Sequence, residues 1–164
     1  MAENEIVTYP DKVLATQAKQ VHKLDANTKR LIQRMIKTMH EEKGVGLAAN
    51  QVGVLQKVFV YDDGEHKGAL INPKMLSATG EQVGPEGCLS VPGLQGEVKR
   101  ANEVVVKGID QTGKEVKIKA EGFLARIFQH EMDHLDGHLF IERAEPGSIQ
   151  YVTAGEEEEE EEGE

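Results

Sequence analysis

Residues 121–136, Glu121-Gly122-Phe123-Leu124-Ala125-Arg126-Ile127-Phe128-Gln129-His130-Glu131-Met132-Asp133-His134-Leu135-Asp136, decide the fold. Leu124, Phe128 and Leu135 recur at helical spacing, and Gly137 stands where a helix would stop, so the stretch is predicted to be a helix. His130 and His134 are four apart and share a face with Ile127. Two imidazoles at that spacing can converge on one ion, about 2.0–2.1 Å from each nitrogen. Glu131 is turned about 100° around the axis. That sets it beside such an ion, where a carboxylate can handle the proton of an activated water. The plainer alternative is a charged helix face, or a histidine pair satisfied by protein partners. The apolar stripe next to the histidines argues for the edge of a core, where an imidazole needs a partner.

Working outward, short strands fill the middle of the chain. Val54 to Tyr61 alternates β-branched and aromatic residues and is predicted extended, with a turn at Asp62-Asp63-Gly64. Ala69 to Asn72, ended by Pro73, is a further strand, as are Glu97 to Arg100, Glu103 to Ile109 and Glu115 to Ala120. Asp110 to Gly113 makes the hairpin turn between the last two. Gly44 to Gly53 (GVGLAANQVG) reads as a loop, or as a strand lying close to something. Before it, Leu31, Ile32, Met35, Ile36 and Met39 mark a first helix over about 26–42, capped by Asp25 and ended at Lys43-Gly44. Helix, strands, helix is an α+β order: small mixed or antiparallel sheets packed around a central helix that carries HExxH.

The chain has 164 residues and one cysteine, so no internal disulfide is available and a domain of this size needs none. No apolar run reaches the roughly 18 residues of a membrane span. Met1 to Tyr9 carries Glu3 and Glu5 and no basic segment, so no targeting peptide is expected and the cytoplasm is the expected compartment, an organelle being a further option. The net charge of −10 is concentrated at one end. Eight of the 29 acidic residues are Glu156 to Glu162 and Glu164, leaving 21 against 19 basic residues. A nearly neutral body gives no sign of a nucleic-acid face. Residues 1–148 are expected to form one catalytic domain, and 149–164 a disordered, self-repelling acidic tail.

A catalytic metal site needs a third protein ligand and one open position. The lone Cys88 lies in Glu86-Gly87-Cys88-Leu89-Ser90, between a glycine and a leucine. A small buried hydrophobe is the bland reading. As a thiolate beside two imidazoles it would suit Zn²⁺ or Fe²⁺. His22, His40, His66 and His138 have no ligand spacing and are taken as surface or structural.

Three segments together resemble the peptide deformylases: GVGLAANQ at 44–51, EGCLS at 86–90 and QHEMDH at 129–134, with matching order and spacing over about Ile6 to Ile141. The resemblance implies hydrolysis of the N-formyl group of formylmethionine on newly synthesised chains, with release of formate. It implies one divalent ion on Cys88, His130 and His134, Fe²⁺ physiologically, with Zn²⁺, Ni²⁺ or Co²⁺ in preparations. By similarity, Glu131 takes the water's proton and passes it to the leaving amine. The Gln51 side chain and the Leu89 backbone N–H would face the oxygen that becomes negative; from its surroundings alone, Gln51 reads equally well as a brace for its loop. The substrate backbone is expected as an extended strand near Gly46 and Gly87. Val45, Phe123 and Ile127 are expected to wall a methionine pocket with His130 at its base. Arg126 should bend away, its head at solvent. Glu86 and Arg100 match positions that pair behind the second motif, a surface pair being the alternative.

Two departures stand out. Gln95 occupies a position that is basic or aromatic in many relatives, which bears on one substrate-backbone contact. Several bacterial relatives carry a basic C-terminal helix directed at the ribosome, whereas here the end is short and glutamate-rich and should repel RNA phosphates. The expected partners are therefore formylmethionyl nascent peptides, with transient proximity to the ribosome, no direct nucleic-acid binding and no membrane. Two rival readings are an HExxH peptidase drawing its third ligand from His138 or Glu142, and a non-catalytic metal-binding module.

Overall fold

The structure, a computed structural model, describes residues 6–152. Helix α1 (Ala26–Glu41) starts as expected, the Asp25 carboxylate accepting the Thr28 N–H at 3.0 Å. Strand β1 (Gly46–Ala48) runs into a 3-10 turn (Ala49–Val52), so the small-residue segment is half strand and half turn. Strands β2 (Val58–Asp62), β3 (Lys67–Thr79), β4 (Gln82–Cys88), β5 (Val91–Arg100), β6 (Glu103–Ile109) and β7 (Glu115–Glu121) follow. Helix α2 (Gly122–Leu135) comes next, then a 3-10 turn (Phe140–Glu142) and a short strand β8 (Gln150–Tyr151).

The five-stranded sheet has the order β1-β2-β3-β6-β7, and a three-stranded sheet the order β4-β5-β8. All strand pairs are antiparallel. The period-2 rule explains how the larger sheet is held. In β2, Val58 and Val60 pack with Leu31, Ile32, Met35 and Met39 of α1. Phe59 and Tyr61 point the other way, into a cluster with Leu124, Ile127 and Phe128 of α2. The sheet is thus covered by α1 on one face and α2 on the other, which is why β2 is apolar at successive positions. Phe128 meets Phe59 and Tyr61 edge-on, at centroid separations of 5.4 and 4.9 Å. Such pairs add about 0.5–1.5 kcal/mol each beyond their burial and fix the seat of α2. At its far end, Gly137 has φ +85°, and a Cβ there would lie 2.9 Å from the Ala15 backbone, so the chain can close on the Lys12–Ala15 turn only with glycine.

Several sequence expectations are corrected. The strand expected from Val54 begins at Val58, as β2. Pro73 does not end β3: Asn72 adopts φ 53° beside a register shift, both ends of its amide bond the Val21 backbone, and the irregularity absorbs the proline. Strand β4 was not anticipated, because Gly84, Pro85 and Gly87 dilute its pattern; as an edge strand it tolerates proline. Beyond residue 148, Gln150 and Tyr151 pair with Gln95 and Leu94. Residues 153–164, on which the expectation of a disordered tail rests, lie outside the described residues.

Candidate metal centre

Helix α2 places Phe123, Ile127, His130 and His134 down one face. Strand β4 delivers Cys88 to the same point from the other sheet. Cys88 Sγ lies 3.3 Å from His134 Nε2, and the two histidine Nε2 atoms are 3.2 Å apart. Tetrahedral ligands at ordinary zinc distances stand about 3.3 Å (N to N) and about 3.6 Å (S to N) apart. Among the described residues, this trio is the one group of ligand atoms gathered closely enough to hold an ion. His138 and Glu142, the third ligands a peptidase reading would need, bond each other at 3.1 Å at the surface. His40 and His66 pair with Asp62 and Asp63.

Hydrogen bonds and burial set the two imidazoles apart. His130 Nδ1 is 2.8 Å from Glu86 Oε1, which accepts its N–H and turns Nε2 toward His134. Burial, with help from His130 and Arg100, pushes His134 well below the usual histidine range, so its ring is neutral. Burial would lower His130 too, but hydrogen bonds to Cys88 and Glu86 and the charge of Glu131 carry it well above that range. The acidic partners around His130 thus favour a positive charge at this point.

Glu86 is the hub behind the helix. Its carboxylate accepts from Arg100 Nε at 2.9 Å and Nη2 at 2.8 Å, and from Arg126 Nη1 at 2.6 Å. Burial pushes its pKa up, but the bonds from Arg100 and His130 prevail and hold it below the usual carboxylate range. Arg100 also reaches Asp133 at 2.6 Å, and Arg143 braces Asp133 from outside. The Glu86–Arg100 pair is therefore buried. The expectation for Arg126 is overturned: it is 7% exposed, and its head lies inside, on Glu86, the Val98 carbonyl and the Gln82 side chain. A buried carboxylate shared with a histidine recruits a second arginine more strongly than water does. The acceptors lie 28–44 residues away in sequence, so nothing near Arg126 signalled it.

Glu131 is 4% exposed, and its Oε1 has no hydrogen-bond partner. Burial pushes its pKa up to about 7. Its other oxygen lies against β1: a Cβ on Gly46 would be 2.5 Å from Oε2. The space a side chain would need at Gly46 is thus taken by Glu131. By contrast, a methyl on Gly87 would make an ordinary 3.5 Å contact with the Leu94 carbonyl, so the fold itself does not demand glycine there.

Gln51 is buried in the turn after β1. Its Oε1 accepts the Ala48 N–H at 3.0 Å, and its Nε2 faces Ser90 Oγ at 3.0 Å and Cys88 Sγ at 3.5 Å. It braces its loop and presents its amide to the thiol at once. Leu89 follows Cys88, with its side chain against the α1 cluster. Of the three residues expected to wall a pocket, Val45 (39% exposed) and Phe123 (51%) offer open apolar surface, while Ile127 is closed in the core beneath His130.

Two imidazoles and a thiol around one point, with a buried carboxyl beside them carrying an unpartnered oxygen, define a metal-dependent hydrolase with a single-ion site. The family model for polypeptide deformylase matches residues 3–149. The peptide deformylase of Pelotomaculum thermopropionicum is 49% identical over 144 residues, covering 88% of this chain and 93% of that one. The crystal structure of the peptide deformylase from Thermotoga maritima superposes with a TM-score of 0.84 at 45% identity, over 87% of this chain and 97% of that one. A Met-Ala-Ser-bound structure of the Acinetobacter baumannii enzyme gives 0.80 at 34%, over 84% and 96%. The chain belongs to the polypeptide deformylase family, and it is a hydrolase that removes the N-formyl group from newly synthesised proteins.

Proposed function

We propose that Cys88, His130 and His134 hold one divalent ion, Fe²⁺ physiologically, at which the formyl group of an N-terminal formylmethionine is hydrolysed in the cytoplasm. The reading is carried by one observation, the convergence of those three ligand atoms beside the unpartnered oxygen of Glu131. When bound, the ion supplies Lewis acidity, polarising the formyl oxygen and lowering the pKa of the attacking water.

The remaining roles fall to the chain. Water adds to the formyl carbon while Glu131 takes its proton; the C–N bond then breaks, Glu131 returns the proton to the amine, and formate and a free N-terminus leave. Burial raises the proton affinity of Glu131 toward what both halves of this transfer need. The Gln51 Nε2–H and the Leu89 N–H face the developing oxyanion; a donor so placed is typically worth about 3–4 kcal/mol of barrier. Strand β1 lies at the edge of its sheet, so its free side can take a peptide as an added strand, with Gly46 and Gly87 admitting its backbone. The Met-Ala-Ser bound by the Acinetobacter baumannii relative supports a tripeptide in such a groove. Val45 and Phe123 offer the apolar wall for the methionine side chain, with Ile127 beneath.

Formate release from formyl-Met-Ala-Ser, measured together with metal content, tests this reading. Glu131→Gln is expected to keep its metal and lose turnover by at least about a hundredfold. Parental turnover in that variant would remove the proton-transfer role.

A further inference from the structure

We propose that Ser90 is a positioning residue that acts through Gln51, holding its amide so that one N–H is directed at the oxygen of the reacting formyl group. This rests on the reading of Gln51 given above. Both side chains are buried, Ser90 at 0% and Gln51 at 2% exposure. The Ala48 N–H on Oε1 fixes which end of the amide is nitrogen. That nitrogen has two hydrogens. One goes to Ser90 Oγ at 3.0 Å; the other donates weakly to Cys88 Sγ at 3.5 Å, on the side of the trio, and is the one a formyl oxygen there would take over.

The terminal torsion of glutamine is broad, so a single contact on Oε1 leaves the plane of the amide free to swing. The Ser90 hydroxyl is the second contact that fixes it. It is itself anchored: the Ser90 carbonyl accepts the Tyr9 N–H at 2.8 Å, and the Ser90 N–H points at Cys88 Sγ at 3.4 Å. The backbone of Ser90 thus serves the Cys88 sulfur while its side chain serves the oxyanion donor. Replacing the side chain leaves the first contact in place and removes the second.

The test is a double-mutant cycle on the metal-loaded enzyme: parent, Ser90→Ala, Gln51→Ala and the double variant, assayed for formate release from formyl-Met-Ala-Ser. Ser90→Ala is expected to lower kcat about tenfold, the effect of one misdirected hydrogen bond. KM should stay within about twofold and metal content should equal that of the parent. In the Gln51→Ala background, Ser90→Ala should cost nothing further, because the group it positions is gone. The same fold-loss in both backgrounds would overturn the proposal, as would a parental kcat in Ser90→Ala. A parental kcat in Gln51→Ala would overturn the role of Gln51, and the proposal with it. Should Ser90→Ala unfold, Ser90→Cys, which keeps the volume but accepts more weakly, is read in the same cycle against the same outcomes.

Discussion

Gly46 and Glu131 meet at the point where an edge strand passes the metal helix. The room a side chain would take on Gly46 is already filled by the Glu131 carboxylate. Gly46→Ala should therefore push that carboxylate aside, and a displacement of about 1 Å at a reacting group can cost about a hundredfold in rate. Steady-state kinetics should show a fall in kcat with metal content unchanged; a change in KM alone would assign Gly46 to substrate contact only. At this scale the sequence was most legible where chemistry is local. His130, Glu131 and His134 follow from helical spacing, and Cys88 is the lone thiol. Ser90 and the inward head of Arg126 were not legible, because their partners arrive from distant segments and leave no periodic trace.

At the scale of elements, the site depends on two pieces being held together: β4, which ends in Cys88, and α2, which carries the histidines. Arg126 ties them, one turn before His130 on the helix and bonded to Glu86 two residues before the thiol. Arg126→Met leaves a buried carboxylate short of a partner and should cost about 3–5 kcal/mol in urea unfolding. The exposed Lys119, 3.7 Å from Glu103, offers the contrast: Lys119→Met should stay within about 0.5 kcal/mol. Equal losses in the two would remove Arg126 as a tie. The cap of α1 makes a pH prediction. The Thr28 N–H lowers the pKa of Asp25 in the folded state. Its contribution is therefore present above the unfolded carboxylate pKa and is lost as pH falls through the lower folded value. The melting temperature of Asp25→Ala should lie below that of the parent at pH 7, and the gap should close on acidification below about 4; a gap that persisted in acid would mean the cap does not act through its charge. Both helices were readable from spacing and caps. Strand β4 was not, because glycine and proline mask it and its identity comes from pairing with β5.

Over the whole molecule, an ion at this site would join the two sheets through α2, so metal binding and folding are linked. Chelation should abolish formate release and lower the melting temperature, and an added divalent ion should restore both. An ion present at a thousand times its dissociation constant contributes about 4 kcal/mol. Unchanged melting after complete metal removal would separate the ion from the fold. The α+β class was legible from element order. How the two sheets sit around one helix was not, since that arrangement is set by long-range register.

X-ray absorption at the metal edge of anaerobically purified protein reads the ligand set itself. One sulfur at about 2.3 Å and two nitrogens at about 2.0–2.1 Å is the predicted first shell, with the sulfur lost in Cys88→Ala. A shell of nitrogen and oxygen alone in the parent protein would contradict the account.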